Sequence, residues 1–134
     1  MGALLGKLAL VALGGGLGSV ARYGLDAVVK TALPTLAGRF PIGIFLVNGV
    51  GCLAFGVICG LSGGDLHHVS EHRRLLLLTG VLGGFTTFST FGHDTARLLA
   101  EGSAGLAAVN ALGSVVVGVG AVFLGLWLGQ RIGA

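Results

Sequence analysis

The stretch Gly83-Gly84-Phe85-Thr86-Thr87-Phe88-Ser89-Thr90-Phe91 puts two glycines and four hydroxyl residues inside a run, Leu75 to His93, that holds no Asp, Glu, Lys or Arg. A run of that length nearly suffices as a helix across a hydrocarbon core of about 30 Å, which takes about 20 residues. Hydroxyls at its centre imply that something polar is served there. Two adjacent glycines followed by β-branched threonines favour a break in the helix. Such a break is tolerated at membrane depth only where the freed backbone is buried in protein or lines a cavity. Freed carbonyls suit a small cation, and helix-end amides or hydroxyls suit an anion.

The rest of the chain supports this reading. Of its 134 residues, 54% are apolar and only 10% are charged, and the mean hydropathy is +0.97. The charge is less than half of the roughly 25% usual in soluble domains, which excludes a water-soluble globule. Charges are also absent from Leu8 to Ala21, Phe40 to Gly64 and Gly102 to Gln130. We therefore expect an all-α membrane protein with one transmembrane domain over 1–134 and four spans at approximately 4–25, 40–61, 75–99 and 105–129, the third broken mid-membrane. In the first span Lys7 snorkels to one surface, and Arg22 lies near the other or faces a wet cavity. That segment reads as a mature helix and not a signal peptide, because no small-residue cleavage site follows its apolar run. Cys52 and Cys59 lie about 10.5 Å apart along one predicted helix, too far for a disulfide.

Pro34 and Pro41 bracket the first connection. Gly63 to Arg74 is a polar loop, and its His67, His68 and His72 read as exposed loop residues because nothing completes a metal coordination shell. Glu101 to Ala104 is a tight turn. Four spans place both termini on one side. Lys7, Arg73, Arg74 and Arg131 then stand on that side, and Arg22, Lys30, Arg39 and Arg97 on the other. A tie of four against four gives insertion no preferred orientation, so we expect dual topology and an antiparallel two-fold homodimer.

Four packed helices have a filled core, so a permeation path must run between subunits or along grooves at their interface. Gly14 with Gly18, Gly56 with Gly60, Gly80 with Gly84, and Gly125 with Gly129 have the small-xxx-small spacing that allows close contact, within a subunit or between subunits. If the chain beyond the break is helical, Thr86, Ser89, Thr90 and His93 share one face, with Phe88 and Phe91 adjacent. Ring edges are positive and can meet an anion while excluding water. Asn48 in the second span, with Asn110 and Ser114 four apart in the fourth, adds polarity from two further helices.

No Asp, Glu or Lys lies deep in any span, so the carboxylate expected of a proton-coupled pump is missing. That counts against the main alternative, a small four-helix dual-topology multidrug-type transporter. A noncatalytic membrane assembly subunit would explain the glycines but not the converging polar residues. Enzyme readings fail. Gly16, Gly18 and Ala21 match a dinucleotide fingerprint only loosely and without a βαβ unit, and no nucleophile, base and orienter set exists.

GGFTTFSTF, with Gly14 to Tyr23 (GGGLGSVARY), Asn48 to Gly56 and Asn110 to Gly118, closely resembles the Fluc (CrcB) fluoride-channel family over nearly the whole chain. The resemblance implies an antiparallel dual-topology homodimer with two pores, exporting fluoride passively through the inner or plasma membrane. It implies fluoride, the lipid bilayer and a second copy as partners, and no nucleic acid. Phe88 and Phe91 would be pore aromatics, Ser89 and Thr90 a polar track, and Asn48 a pore-facing amide. Ser114 would lie near the same path, and Arg22 would line a vestibule. The carbonyls of Gly83 and Thr86 from both subunits would hold a structural sodium ion at the dimer centre. Members often carry Ser and then an acid after the motif. Here Gly92 and His93 precede Asp94, which matches the acid, and Gly92 leaves one hydroxyl out. Many members have tyrosine where Asn110 stands.

Overall fold

Among the described residues, four helices are long and apolar enough to cross a membrane: Gly2–Ala32, Ile42–Leu61, Glu71–Ala100 and Ala104–Gly133. They come from a computed structural model that describes residues 1–133, and no strand occurs among the described residues. The first span is α1 (Gly2–Ala32), followed by the short α2 (Pro34–Ala37) and the second span, α3 (Ile42–Leu61). A 3₁₀ turn, Leu66–His68, leads to the third span. This span consists of α4 (residues 71–85) and α5 (Phe88–Ala100), separated by Thr86 and Thr87. The fourth span is α6 (Ala104–Gly133).

Local chemistry sets the ends. Pro34 stops α1 and opens α2, since it lacks an N–H and restricts the residue before it. Phe40 is buried and meets Phe45 edge-on at 5.6 Å, pinning the chain as it enters α3. Beyond Ala100, Gly102 has φ +74°. The Ser103 N–H donates to the Leu98 carbonyl at 2.8 Å and the Gly102 N–H to the Leu99 carbonyl at 3.0 Å. This double closure needs a residue at ease in the left-handed region, hence glycine.

The first span runs beyond the expected 4–25 because no helix breaker precedes Pro34. Asp26 and Lys30 therefore lie within α1, joined at 2.6 Å. Asp26 is six residues from the helix end, about 9 Å along the axis, which is interfacial depth. The third and fourth spans likewise exceed 75–99 and 105–129 by a few residues at their ends.

The four small-residue pairs are consumed inside the subunit, in two matched contacts. A Cβ on Gly56 would strike the Val122 carbonyl and lie 3.0 Å from Gly125 Cα; one on Gly60 would lie 2.9 Å from Gly129 Cα. This closes α3 on α6. A Cβ on Gly14 would strike the Leu76 carbonyl and lie 2.9 Å from Gly80 Cα. One on Gly18 would strike the Val81 carbonyl, and one on Gly84 the backbone of Gly15. This closes α1 on α4. In lipid, where burying leucine gains little, such backbone proximity supplies much of the packing. Few apolar side chains are buried, among them Val47, Leu98 and Ala107, while leucines and valines along α1 and α6 stay exposed. That distribution suits a hydrocarbon solvent.

Residues Arg74–Leu82 wind as a π-helix, a wide form that often marks functional segments. Beside it, Lys7 and Glu71 form an ion pair that ties the starts of α1 and α4 together.

Candidate functional site

The break falls after the glycines, at Thr86 and Thr87. Gly83 and Gly84 remain helical, and Gly84, where a Cβ would strike the Gly15 backbone, serves the contact with α1. Thr86 (φ −80°, ψ 155°) and Thr87 (φ −148°, ψ 114°) are extended. Extended backbone within a span needs new partners, and a side chain 39 positions away supplies them. Asn48 Oδ1 accepts the Thr87 N–H at 2.9 Å and Asn48 Nδ2 donates to the Thr87 carbonyl at 3.3 Å. One amide thus satisfies both polar groups of one peptide residue.

The Asn48 clip and the Thr87 cap together release two carbonyls. In an unbroken helix the Thr87 N–H would serve the Gly83 carbonyl, but it donates to Asn48. The Thr90 N–H would serve the Thr86 carbonyl, but it donates to Thr87 Oγ1 at 3.3 Å as α5 begins. The next carbonyl, Gly84, accepts from Arg22 Nε at 3.2 Å and from Ser19 Oγ at 3.5 Å. The negative end of α4 therefore faces a guanidinium and carries free carbonyls, while the positive end of α5 faces the same break.

Of the grooves that flank the break, two hold the expected side chains. The first, of about 290 Å³, is lined by Asn48, Cys52, Thr86, Thr87, Phe88, Phe91, Ser114 and Val115. The rings of Phe88 and Phe91 stand 5.4 Å apart at 39°. Ser114 Oγ is buried without a hydrogen-bond partner, a condition that buried hydroxyls seldom keep. The groove thus offers an orphan hydroxyl, an amide and two aromatic rings. The second, of about 260 Å³, is lined by Ser19, Arg22, Tyr23, Asp26, Ile44 and Thr90. It carries one guanidinium and one carboxylate, and Asp26 Oδ1 is itself buried without a partner.

Asn48, Phe88, Phe91 and Ser114 are therefore brought together, while Arg22 and Thr90 occupy the neighbouring groove. Ser89 lines neither groove; its hydroxyl lies 3.3 Å from Thr87 Oγ1. The expected face of Thr86, Ser89, Thr90 and His93 does not form, because Thr86 precedes α5 and its hydroxyl donates back to the Leu82 carbonyl at 3.0 Å. Thr87 takes its place, 3.0 Å from Thr90 Oγ1. Sequence reasoning missed Thr87, although Thr at the position before a helix is a recognisable N-cap signal. Asn110 does not reach the groove: it is buried and donates to Thr95 Oγ1 at 2.9 Å.

Four apolar spans and a polar groove at an interrupted one define a multi-pass membrane protein. Residues 9–126 match the family model described as CrcB-like protein, Camphor Resistance (CrcB), and the chain belongs to that family. A protein of Novosphingobium aromaticivorans named fluoride-specific ion channel FluC is 49% identical over 121 residues, covering 88% of this chain and 91% of that one. Namesakes in Methylobacillus flagellatus and Nitratidesulfovibrio vulgaris are 45% identical over 122 residues and 42% over 128. These cover 91% and 94% of this chain, and 93% and 98% of theirs.

Proposed function

We propose that this chain forms a fluoride-selective channel that lets fluoride leave the cytoplasm passively across the inner membrane. Its action is permeation and not catalysis. The observation that carries the reading is similarity along nearly the whole length to proteins named fluoride-specific ion channels. The groove chemistry agrees with it. Fluoride is small and strongly hydrated, so a pore must replace its water with closely spaced donors. Ser114 Oγ, the Asn48 amide and the edges of Phe88 and Phe91 are neutral donors, able to hold fluoride weakly enough to release it. Ser89 and Thr90 would continue the polar track along α5, and Arg22 would draw anions into a vestibule.

The working unit would be an antiparallel dual-topology homodimer with two pores. The even split of basic residues between the two ends supports this arrangement. So does the use of all four glycine pairs within the subunit, which leaves a filled bundle and sends the path to its surface. A structural sodium ion would sit at the dimer centre, held by the Gly83 and Thr86 carbonyls of both copies. The release of those two oxygens from helical bonding suits a hard cation. Bound there, the ion would offset the carbonyl charge at the end of α4 and fix the break.

Purified protein in liposomes loaded with potassium fluoride and chloride, given a potassium ionophore, should release fluoride rapidly and retain chloride. No release from verified dimers would overturn the proposal.

A further inference from the structure

Asn110 is the one polar residue buried to 3% exposure among the described residues. It sits in α6 one turn before Ser114, on the same face. Its Nδ2 donates to Thr95 Oγ1 at 2.9 Å, and that hydroxyl in turn donates to the Phe91 carbonyl at 2.8 Å. Leu98 and Ala107, 1% and 2% exposed, pack nearby in the same helix pair. The α5 half-helix has few other tethers, because its own N-terminus is a break in the span and its first turn rests on Thr87 and Asn48.

We infer that Asn110 is a positioning residue: through Thr95 it fixes the turn of α5 that carries Phe91, and so sets the spacing of the aromatic pair against Ser114. The inference rests on the fluoride-channel reading above. The polar face of α6 divides its work. Asn110 is spent on holding α5, and Ser114 keeps a hydroxyl free for the groove. The Thr95 hydroxyl accepts from α6 and donates one turn back to the backbone of its own helix, so it fixes the rotation of α5 better than packing alone, because both bonds are directional. Met or Leu at position 110 would fill the space without defining the rotation of α5.

The test uses the full-length protein in liposomes, reading fluoride efflux per protein and the fluoride-to-chloride permeability ratio. Asn110→Leu and the isosteric Thr95→Val should each slow fluoride efflux about fivefold, the scale of one interhelical hydrogen bond in lipid, and lower the permeability ratio. Thr95→Ser keeps the hydroxyl and should retain both. The double variant Asn110→Leu with Thr95→Val should be no worse than either single, since both remove one chain of bonds. Wild-type rate and ratio in both singles, or losses that multiply in the double, would overturn the inference. If Asn110→Leu does not fold, the contrast between Thr95→Val and Thr95→Ser decides. Wild-type protein that passes no fluoride would sink the channel reading itself, whereas conducting wild type with indifferent variants would sink only the role of Asn110.

Discussion

The helix pairs α3 with α6 and α1 with α4 are built on the same device and put to different ends. Each has two glycines per helix, four apart, that bring backbones into contact. In the first pair both helices run on unbroken, over Ile42–Leu61 and Ala104–Gly133. In the second, the helix that bears Gly80 and Gly84 winds as a π-helix through Gly80, up to Leu82, and breaks just after Gly84 and Phe85. Glycine is thus no breaker in either pair. The break comes from Thr86 and Thr87, and the regular pair supplies what makes it affordable: Asn48 of α3 clips Thr87, while Ser114 of α6 faces the same groove. The difference teaches that close packing fixes where a span breaks, and a polar partner on the neighbouring pair decides whether it can.

The strongest way to break this comparison is to fill both contacts. Gly56→Leu and Gly18→Leu each drive a side chain into facing backbone that has no rotamer to yield. Overpacking costs about 1–3 kcal/mol and often more against backbone, so neither variant should give monodisperse protein in detergent. If Gly18→Leu folds and Gly56→Leu does not, the α1 contact is the looser of the two and the symmetry between the pairs fails. Size-exclusion profiles of the two variants, set beside Gly120→Ala, decide it; a Cβ at Gly120 meets nothing within 4 Å.

Next in size is the clip. Asn48→Leu leaves the Thr87 N–H and carbonyl unpaired within the span, at about 1–3 kcal/mol for each group. Fluoride efflux should fall about 100-fold in protein that still elutes as wild type. Efflux at the wild-type rate would mean that the break keeps itself open and that the regular pair contributes nothing to it. The aromatic pair ranks below this. Phe88→Ile with Phe91→Ile removes both ring edges but no backbone partner, and should cut efflux about 30-fold. Unchanged efflux in a folded protein would remove the ring edges from the pathway.

The four spans were legible because charge is costly in lipid, so gaps in charge mark them. Their ends were less so: outside the core a helix continues until something stops it, and for α1 that is Pro34 and not the last apolar residue. Glycine spacing was legible, but the partner of each pair depends on which helices meet. The site was read in part. Asn48, Phe88, Phe91 and Ser114 converge as the residue types suggested, whereas the break could not be placed from GGFTT alone. Its position is set by glycines spent on α1 and by an amide far away in sequence. The same blindness hid Thr87 and the internal duty of Asn110, both fixed by tertiary bonds.

The smallest effect tests whether the two pairs communicate through the loop that joins them, residues 62–70. Asp65 accepts the His67 N–H at 2.8 Å and so caps the short turn Leu66–His68. That bond, helped by the nearby imidazoles of His67 and His68, holds the Asp65 carboxyl below its ordinary pKa. A carboxylate lowered in this way adds stability above its ordinary value, about 3.9, and loses it as pH falls through the lowered one. Protection of the loop amides, referred to their intrinsic exchange rates, should therefore fall below about pH 4, and Asp65→Asn should abolish that step. Because the group is exposed, the step should stay local, leaving the protection of α3 and α4 unchanged. If acid instead loosens Gly56 and Gly80 together, the loop couples the regular pair to the interrupted one, and the two can no longer be treated as separate scaffolds.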